Sequence, residues 1–232
     1  MSGGIPGQSR ARARTSLQRG CKKMEETNQR WVYIVDDDAS TRDALSSLLR
    51  SVGLKVETFE STEAFLRVER PVAPSCLVLD VRLKGENGLA FQRRAQAWNM
   101  DLPIVIVTGH ADVPMTVSAM KAGAVDFLTK PFREQELLDS VDNALALHAR
   151  RLEGQERSRG LRDRYETLTP REKEIVPYVI AGFLNKQIAD RLNLSEVTVK
   201  IHRGAAMRKL AVRSVADLVR EAQALEIPPV AD

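Results

Sequence analysis

From residue 31 onward the chain alternates short apolar runs with segments of helical period. WVYIVD is followed by ASTRDALSSLLRSVG, LKVETF by STEAFLRVER, SCLVLD by GLAFQRRAQAW, LPIVIVT by VPMTVSAMKAG, and AVDFLT by REQELLDSVDNALAL. This alternation leaves few architectures open, because parallel strands need helical crossovers and the crossovers cover the faces of the sheet. The expectation for residues 31–149 is an α/β domain with a parallel sheet covered on both sides. In such open sheets ligands bind outside the carboxyl ends of the strands. A residue that does chemistry should therefore stand where an apolar run stops.

Asp36, Asp37 and Asp38 close the first run, Asp80 the third and Thr108 the fourth; Lys130 follows the fifth, just before Pro131. The stretch CLVLDVRLKGENGL, Cys76 to Leu89, shows the question in its simplest form: an apolar strand ends on one carboxylate and then enters a basic, glycine-flanked turn. Taken alone, Asp80 is either a solvated strand end or an acid placed for chemistry. The other strand ends decide between them, since several carboxylates on one edge repel each other and a hard divalent cation with oxygen ligands is the usual way to hold them. Mg²⁺ is the economical choice. A hydroxyl and an ammonium beside a metal-bound carboxylate supply what a transferring phosphoryl group needs, charge neutralisation and hydrogen bonds to its equatorial oxygens.

A chain of 232 residues is long enough for two domains with tails. No apolar run approaches the roughly 18 residues needed to span a bilayer, and the arginine-rich start lacks the apolar middle of a secretory signal, so a cytoplasmic protein without membrane association is expected. Cys21 and Cys76 have neither the number nor the spacing of a disulfide framework and are expected as thiols. His110, His148 and His202 are scattered, which excludes a zinc motif. Residues 1–30 carry 7 basic and 2 acidic side chains, 31–149 carry 12 and 17, and 150–232 carry 16 and 12, so an acidic body lies between basic ends. The Gly/Ser/Arg-rich 1–30 segment reads as a disordered basic tail. It is either a solvated leader ahead of a start at Met24 or an arm for nucleic acid.

Residues 150–164, RRLEGQERSRGLRDR, are dense in charge and suit an exposed linker, in part helical. A second domain is expected over 165–227, with a tail at 228–232. It opens on LTPRE, where Thr169 is an N-cap, Pro170 the first helical residue and Glu172 the capping-box partner, and this helix should end at Gly182. NKQIADRLNLS and EVTVKIHRGAAMRKLAV follow with a short turn at Asn193–Ser195, then SVADLVREAQAL: four short helices, two of them joined as a helix-turn-helix. Ile188, Ala189 and Leu192 should be buried on the first of the pair. Val199, His202, Ala206 and Leu210 should face the core on the second, leaving Lys200, Ile201, Arg203, Gly204 and Arg208 around the rest. A helix with a basic free side suits a major groove, and an ordinary amphipathic surface helix has the same pattern.

VDDD, LVLDVRL, VTGH and DFLTKPF resemble the receiver domain of two-component response regulators, a flavodoxin-like (βα)5 fold. The resemblance implies that Asp80 is the phosphoacceptor, taking a phosphoryl group from a sensor histidine kinase. It implies that Asp36, Asp37 and Asp80 hold Mg²⁺ with the Arg82 backbone carbonyl, that Thr108 and Lys130 contact the phosphoryl oxygens, and that Thr108 and Phe127 form the switch. Lys130–Pro131 is often cis in that family. One position departs from it: the turn after the acceptor usually carries an apolar residue, proline and glycine, and here reads Leu83, Lys84, Gly85. The change brings an ammonium toward the site.

LTPREKEI, NKQIADRL and SEVTVKIHR resemble the LuxR-type DNA-binding domain, and the pair of domains resembles the NarL/FixJ class. That resemblance implies base-edge contacts from Lys200, Ile201 and Gly204 and phosphate contacts from Lys186, Thr198 and Arg203. It further implies a transcription factor, taken as an activator working with RNA polymerase, that binds double-stranded DNA and forms a homodimer when phosphorylated. It implies no enzyme activity beyond slow self-dephosphorylation. The rival reading is a constitutive DNA-binding protein whose receiver is only an interaction surface, and Lys84 favours it. A phosphohydrolase of the haloacid dehalogenase type needs an aspartate two residues after the first, where this chain has Arg82.

Overall fold

The computed structural model describes residues 29–230. The expected disordered segment, with Cys21 and Met24, lies outside the described residues apart from its last two positions. The chain divides into two compact units at Leu152/Glu153.

The first unit is built on strands β1 (Trp31–Val35), β2 (Lys55–Phe59), β3 (Ser75–Asp80), β6 (Ile104–Thr108) and β7 (Asp126–Thr129). They form one parallel sheet in the order β2-β1-β3-β6-β7. Counting the sheet strands alone, this is the 2-1-3-4-5 order of flavodoxin-like folds, with its switch point between the first and third strands. The central strand β3 is buried along its whole length, while the edge strands β2 and β7 are only partly covered. The full burial of the middle explains why SCLVLD reads as an unbroken apolar run rather than an alternating one. A short antiparallel ribbon, β4 (Arg82–Leu83) with β5 (Glu86–Asn87), follows the central strand.

Two layers of helix cover the sheet. Helix α1 (Ala39–Ser51) and the first turns of α5 (Glu134–Glu166) pack Leu45, Leu49, Leu137, Val141, Ala144 and Leu145 against Val32, Ile34, Val78, Val105 and Val107. On the other face α2 (Thr62–Leu66), α3 (Gly88–Ala97) and α4 (Val113–Lys121) bring Phe65, Leu89, Phe91, Ala95 and Ala119 onto Tyr33, Val35, Leu77, Leu79 and Ile106. Alternate residues of each strand supply the two cores, as a pleated strand requires. Cys76 is a free, buried thiol in the α1/α5 layer, and burial pushes it far above its ordinary pKa.

Two expectations change. The segment STEAFLRVER forms helix only over Thr62–Leu66, ending at Arg67 ahead of Pro71 and Pro74. The expected linker at 150–164 is helical throughout, since α5 runs unbroken from Glu134 to Glu166. Its middle is rich in Arg, Glu, Leu and Gln, strong helix formers without a proline. One end is anchored in the sheet core and Leu161 is buried in the second unit's core, so the polar middle needs only propagation and no new nucleation. Gly154 and Gly160 weaken this stretch but do not end it.

The second unit adds α6 (Pro170–Ile180), α7 (Asn185–Leu192), α8 (Glu196–Lys209) and α9 (Val215–Ala224) to the end of α5. Thr169 caps α6 with both halves of the capping box present, and Gly182 follows its C-cap at a φ of 87°. Asn193 takes the left-handed conformation that turns α7 into α8, and Ser195 caps α8 through the Thr198 amide. Ile175, Val176, Val179, Ile188, Val199, Ala206, Leu210 and Leu218 close one core around these helices. His202 and Leu192 are only half-buried at its edge, whereas Val199, Ala206 and Leu210 are fully inside.

Candidate functional site

The strand register assembles the acid site. One residue beyond the Val35–Leu79 pair stand Asp36, just after β1, and Asp80, the last residue of β3, on the same face as Ile34 and Val78. Asp80 pairs with Val107, so Thr108 comes next on β6; Thr108 pairs with Thr129, so Lys130 comes next after β7. All four therefore collect at the carboxyl edge of the sheet. Oxygens of Asp36, Asp37 and Asp80 lie within 4.8 Å of one another. Asp36 and Asp80 are almost fully buried.

Lys130 Nζ bridges the two buried acids, 2.7 Å from Asp36 Oδ2 and 3.0 Å from Asp80 Oδ2. Burial alone would push this ammonium down, but its bonds to Asp36 and Asp80 outweigh that and hold it above its ordinary pKa. The Arg82 amide donates to Asp80 Oδ1 at 3.0 Å, and the Asp38 amide donates to Asp36 Oδ1 at 2.9 Å. Arg42 donates to the Asp36 carbonyl at 2.7 Å. Asp38 itself leaves the cluster: its carboxylate caps α1 through the Ser40 amide and the Thr41 hydroxyl, and these bonds hold its pKa down.

Thr108 is fully buried, and its hydroxyl is engaged with the His110 backbone through two long bonds, 3.2 Å to the carbonyl and 3.3 Å from the amide. Phe127 is half-buried against the α2–α4 layer. The Lys130–Pro131 bond is cis. Lys84, strongly exposed on the ribbon turn, points its ammonium back to 3.8 Å from Asp37 Oδ2.

Three supporting residues carried no sequence signal. Gly88 starts α3 where a Cβ would run into the Asp80 carbonyl oxygen, so the backbone after Asp80 can close only on glycine. Glu86 accepts hydrogen bonds from Thr62 and Arg94, fastening the ribbon to α2 and α3. Buried Gln92 donates to the Ala119 and Ala122 carbonyls at 3.0 and 3.1 Å and ties α3 to the end of α4.

Three carboxylates, two of them buried, gathered beside the partly buried Lys130 ammonium fit a divalent cation, since the oxygen donors are hard and already close together. The arrangement can neutralise and orient a phosphoryl group at Asp80.

In the second unit Lys186, Lys200, Ile201 and Gly204 are exposed. A Cβ on Gly204 would meet nothing within 4 Å, so the domain's own packing does not require glycine there. Thr198 shares a 2.7 Å hydroxyl contact with Ser195. Arg203 is half-buried and donates to Asn185 Oδ1 at 2.9 Å, joining α8 to the start of α7. Val197, which sequence reasoning did not single out, is 67% exposed.

Comparison with known proteins agrees with both units. Residues 32–142 match the response regulator receiver domain, and residues 166–222 match the bacterial regulatory proteins of the luxR family. Nodulation protein W of Bradyrhizobium diazoefficiens is 48% identical over 88% of this chain and 89% of its own length. Response regulator protein TodT of Pseudomonas putida is 47% identical over 84% and 86%, and the transcriptional regulatory protein FixJ of B. diazoefficiens is 37% identical over 84% and 95%. Among solved structures the response regulator StyR superposes with a TM-score of 0.76 at 47% identity, covering 84% of this chain and 98% of its own. Full-length FixJ from B. japonicum gives 0.50 at 36% identity, over 87% and 98%. Identity sustained along both units at once means that the receiver and the helix-turn-helix occur here in the combination those relatives share, and the chain belongs to the NarL/FixJ class of response regulators, with a receiver domain and a LuxR-type DNA-binding domain.

Proposed function

We propose that Asp80 accepts a phosphoryl group from a sensor histidine kinase and that this charge controls sequence-specific DNA binding. The observation that carries the reading is the Lys130 ammonium held between Asp36 and Asp80 at the mouth of the sheet. An Asp80 carboxylate oxygen attacks phosphorus, the phosphorus–nitrogen bond of the phosphohistidine breaks, and its electron pair returns to the imidazole. Asp36, Asp37 and Asp80, with the Arg82 carbonyl, would hold Mg²⁺, which supplies charge neutralisation for the transferring group. Lys130 donates to one phosphoryl oxygen. Thr108 can give up its two long bonds to His110 and turn to another, and Phe127, half-buried beside Ile106, follows into the space vacated. The chemistry ends there, with slow self-dephosphorylation as the only turnover.

The signal leaves through α4 and β7, the face next to Thr108 and Phe127. Val113, Val117 and Met120 are exposed on α4, which supports pairing of two phosphorylated receivers across it. A homodimer would set two α8 helices on two half-sites of double-stranded DNA. Lys200, Ile201 and Gly204 would address base edges, and Lys186, Thr198 and Arg203 the phosphates. Arg203 is held for that task by Asn185. Activation through contact with RNA polymerase, in the cytoplasm, completes the reading; among the described residues no helix is long and apolar enough to cross a membrane. The Lys84–Asp37 pair favours a second reading, a constitutive DNA-binding protein with a weakly loaded receiver.

Intact-mass measurement after exposure to a small phosphodonor and Mg²⁺ separates them. One base-labile phosphoryl group is expected on the native chain and none on Asp80→Asn. A native chain that stays unmodified at saturating Mg²⁺ would establish the constitutive reading.

A further inference from the structure

The free side of α8 is not uniformly basic. Val197, Lys200, Ile201, Gly204 and Arg208 are all exposed, and their spacing of three or four residues puts them on one stripe. Val197 and Ile201, four apart, are 67% and 62% exposed. Single exposed aliphatics are ordinary on protein surfaces. Two in line on one stripe, with Lys200 between them and followed by a glycine with open space over its Cα and then Arg208, form a surface with a defined pattern: apolar, cation, apolar, bare backbone, cation. The cations fix the occupant as a polyanion. The apolar pair fixes it further, because the major groove offers one apolar group to a side chain, the C5-methyl of thymine.

We infer that Val197 and Ile201 read a pair of thymine methyl groups, and that Val197 is a specificity-determining residue of the DNA site. The inference rests on α8 being the recognition helix. Residues at the start of such a helix approach base edges most closely, and Val197 is the second residue of α8. Four residues advance about 6 Å along a helix, against about 3.4 Å per base step, so the two methyls stand about two steps apart. Gly204 lets the backbone approach the groove one turn further on, and Arg208 reaches the flank.

The test uses the phosphorylated full chain and duplexes selected from a random library, with each thymine replaced in turn by deoxyuridine, which lacks only the methyl. The native chain should lose about fourfold in affinity at one thymine contacted by Val197, the value of one buried methyl group, roughly 0.8 kcal/mol. Val197→Ala should lose a similar factor on the thymine duplex and be indifferent to deoxyuridine at that position. Ile201→Ala should show the same indifference at a thymine about two steps away. Val197→Ala losing equally on thymine and deoxyuridine duplexes at every position would overturn the inference, as would selected sites with no methyl-sensitive thymine. Lys200→Ala keeps the two levels apart. If it weakens selected and random duplexes alike, base reading by α8 is itself wrong; if it flattens discrimination while Val197→Ala stays methyl-blind at no position, only the methyl contact falls.

Discussion

Asp37 differs from its two neighbours in the acid pocket in the cation beside it: Lys130 bridges Asp36 and Asp80, whereas Asp37 faces the exposed Lys84 ammonium at 3.8 Å. Lys84 is largely in solvent, so its attraction is screened, and a unit-charge pair at that distance in water interacts weakly. Lys84→Ala should therefore tighten Mg²⁺ by only about two- to fivefold at low ionic strength, and the gain should fade toward 1 M salt as the Debye length shrinks to about 3 Å. Calorimetric titration of the two proteins with Mg²⁺ measures this directly. Equal affinities at low salt would show that Lys84 does not compete for Asp37. At this scale the sequence was informative about the chemistry and silent about its support. Asp36, Asp80, Thr108 and Lys130 announce themselves because each ends or follows an apolar run. Gly88, Glu86 and Gln92 do not, because what they do depends on backbone and side chains brought close only by the fold. Asp38 looks like a fourth acid of the cluster and is a helix cap, a choice between two local partners that composition does not reveal.

Among the elements, α5 and β3 are joined far from the acid site by one hydrogen bond, the Ser75 amide donating to His148 Nδ1 at 2.8 Å. His148 is nearly buried, with Asp101 and Arg151 as its charged neighbours. Burial lowers its pKa below the ordinary value of 6.5. The neutral ring is the form that accepts the Ser75 proton, so below about pH 6.5 the unfolded chain takes up a proton that the folded chain resists. Receiver stability should accordingly fall as pH drops from about 6.5 toward the depressed folded value. Asn at 148 keeps an acceptor and cannot titrate, so urea unfolding of His148→Asn should lack that segment of the pH profile. Parallel profiles for the two proteins would show that the His148 bond contributes nothing. The elements themselves were legible in unequal measure. The five strands of the sheet follow from apolar runs bounded by turns, and α6 from its capping box. The β4–β5 ribbon has two residues per strand and no alternation to detect. The charged middle of α5 has no apolar face, and it is helical because its two ends are anchored in different cores.

For the whole molecule, the proposed gain from phosphorylation is one of effective concentration: pairing two receivers holds two α8 helices together, and binding one half-site delivers the other helix to its neighbour. Avidity of this kind can raise affinity by roughly 10² to 10⁴ with no new base contact. It depends on helical phase. Inserting about five base pairs between half-sites turns one of them half a turn away and should remove most of the gain, while a full-turn insertion keeps part of it. Gel-shift affinities on the three spacings, with sedimentation to fix the oligomer, test this. A phosphorylated monomer that binds all three equally tightly would point instead to release of a masked DNA-binding domain.

The proposed control runs from the charge placed on Asp80 to DNA binding. The most direct measurement is the ratio of DNA affinities with and without phosphodonor on one two-half-site duplex, for the native chain and for Asp80→Asn. The native ratio should be about 10² or more and the Asp80→Asn ratio about one. A native ratio near one, or an Asp80→Asn chain that responds to the donor as the native chain does, would contradict it.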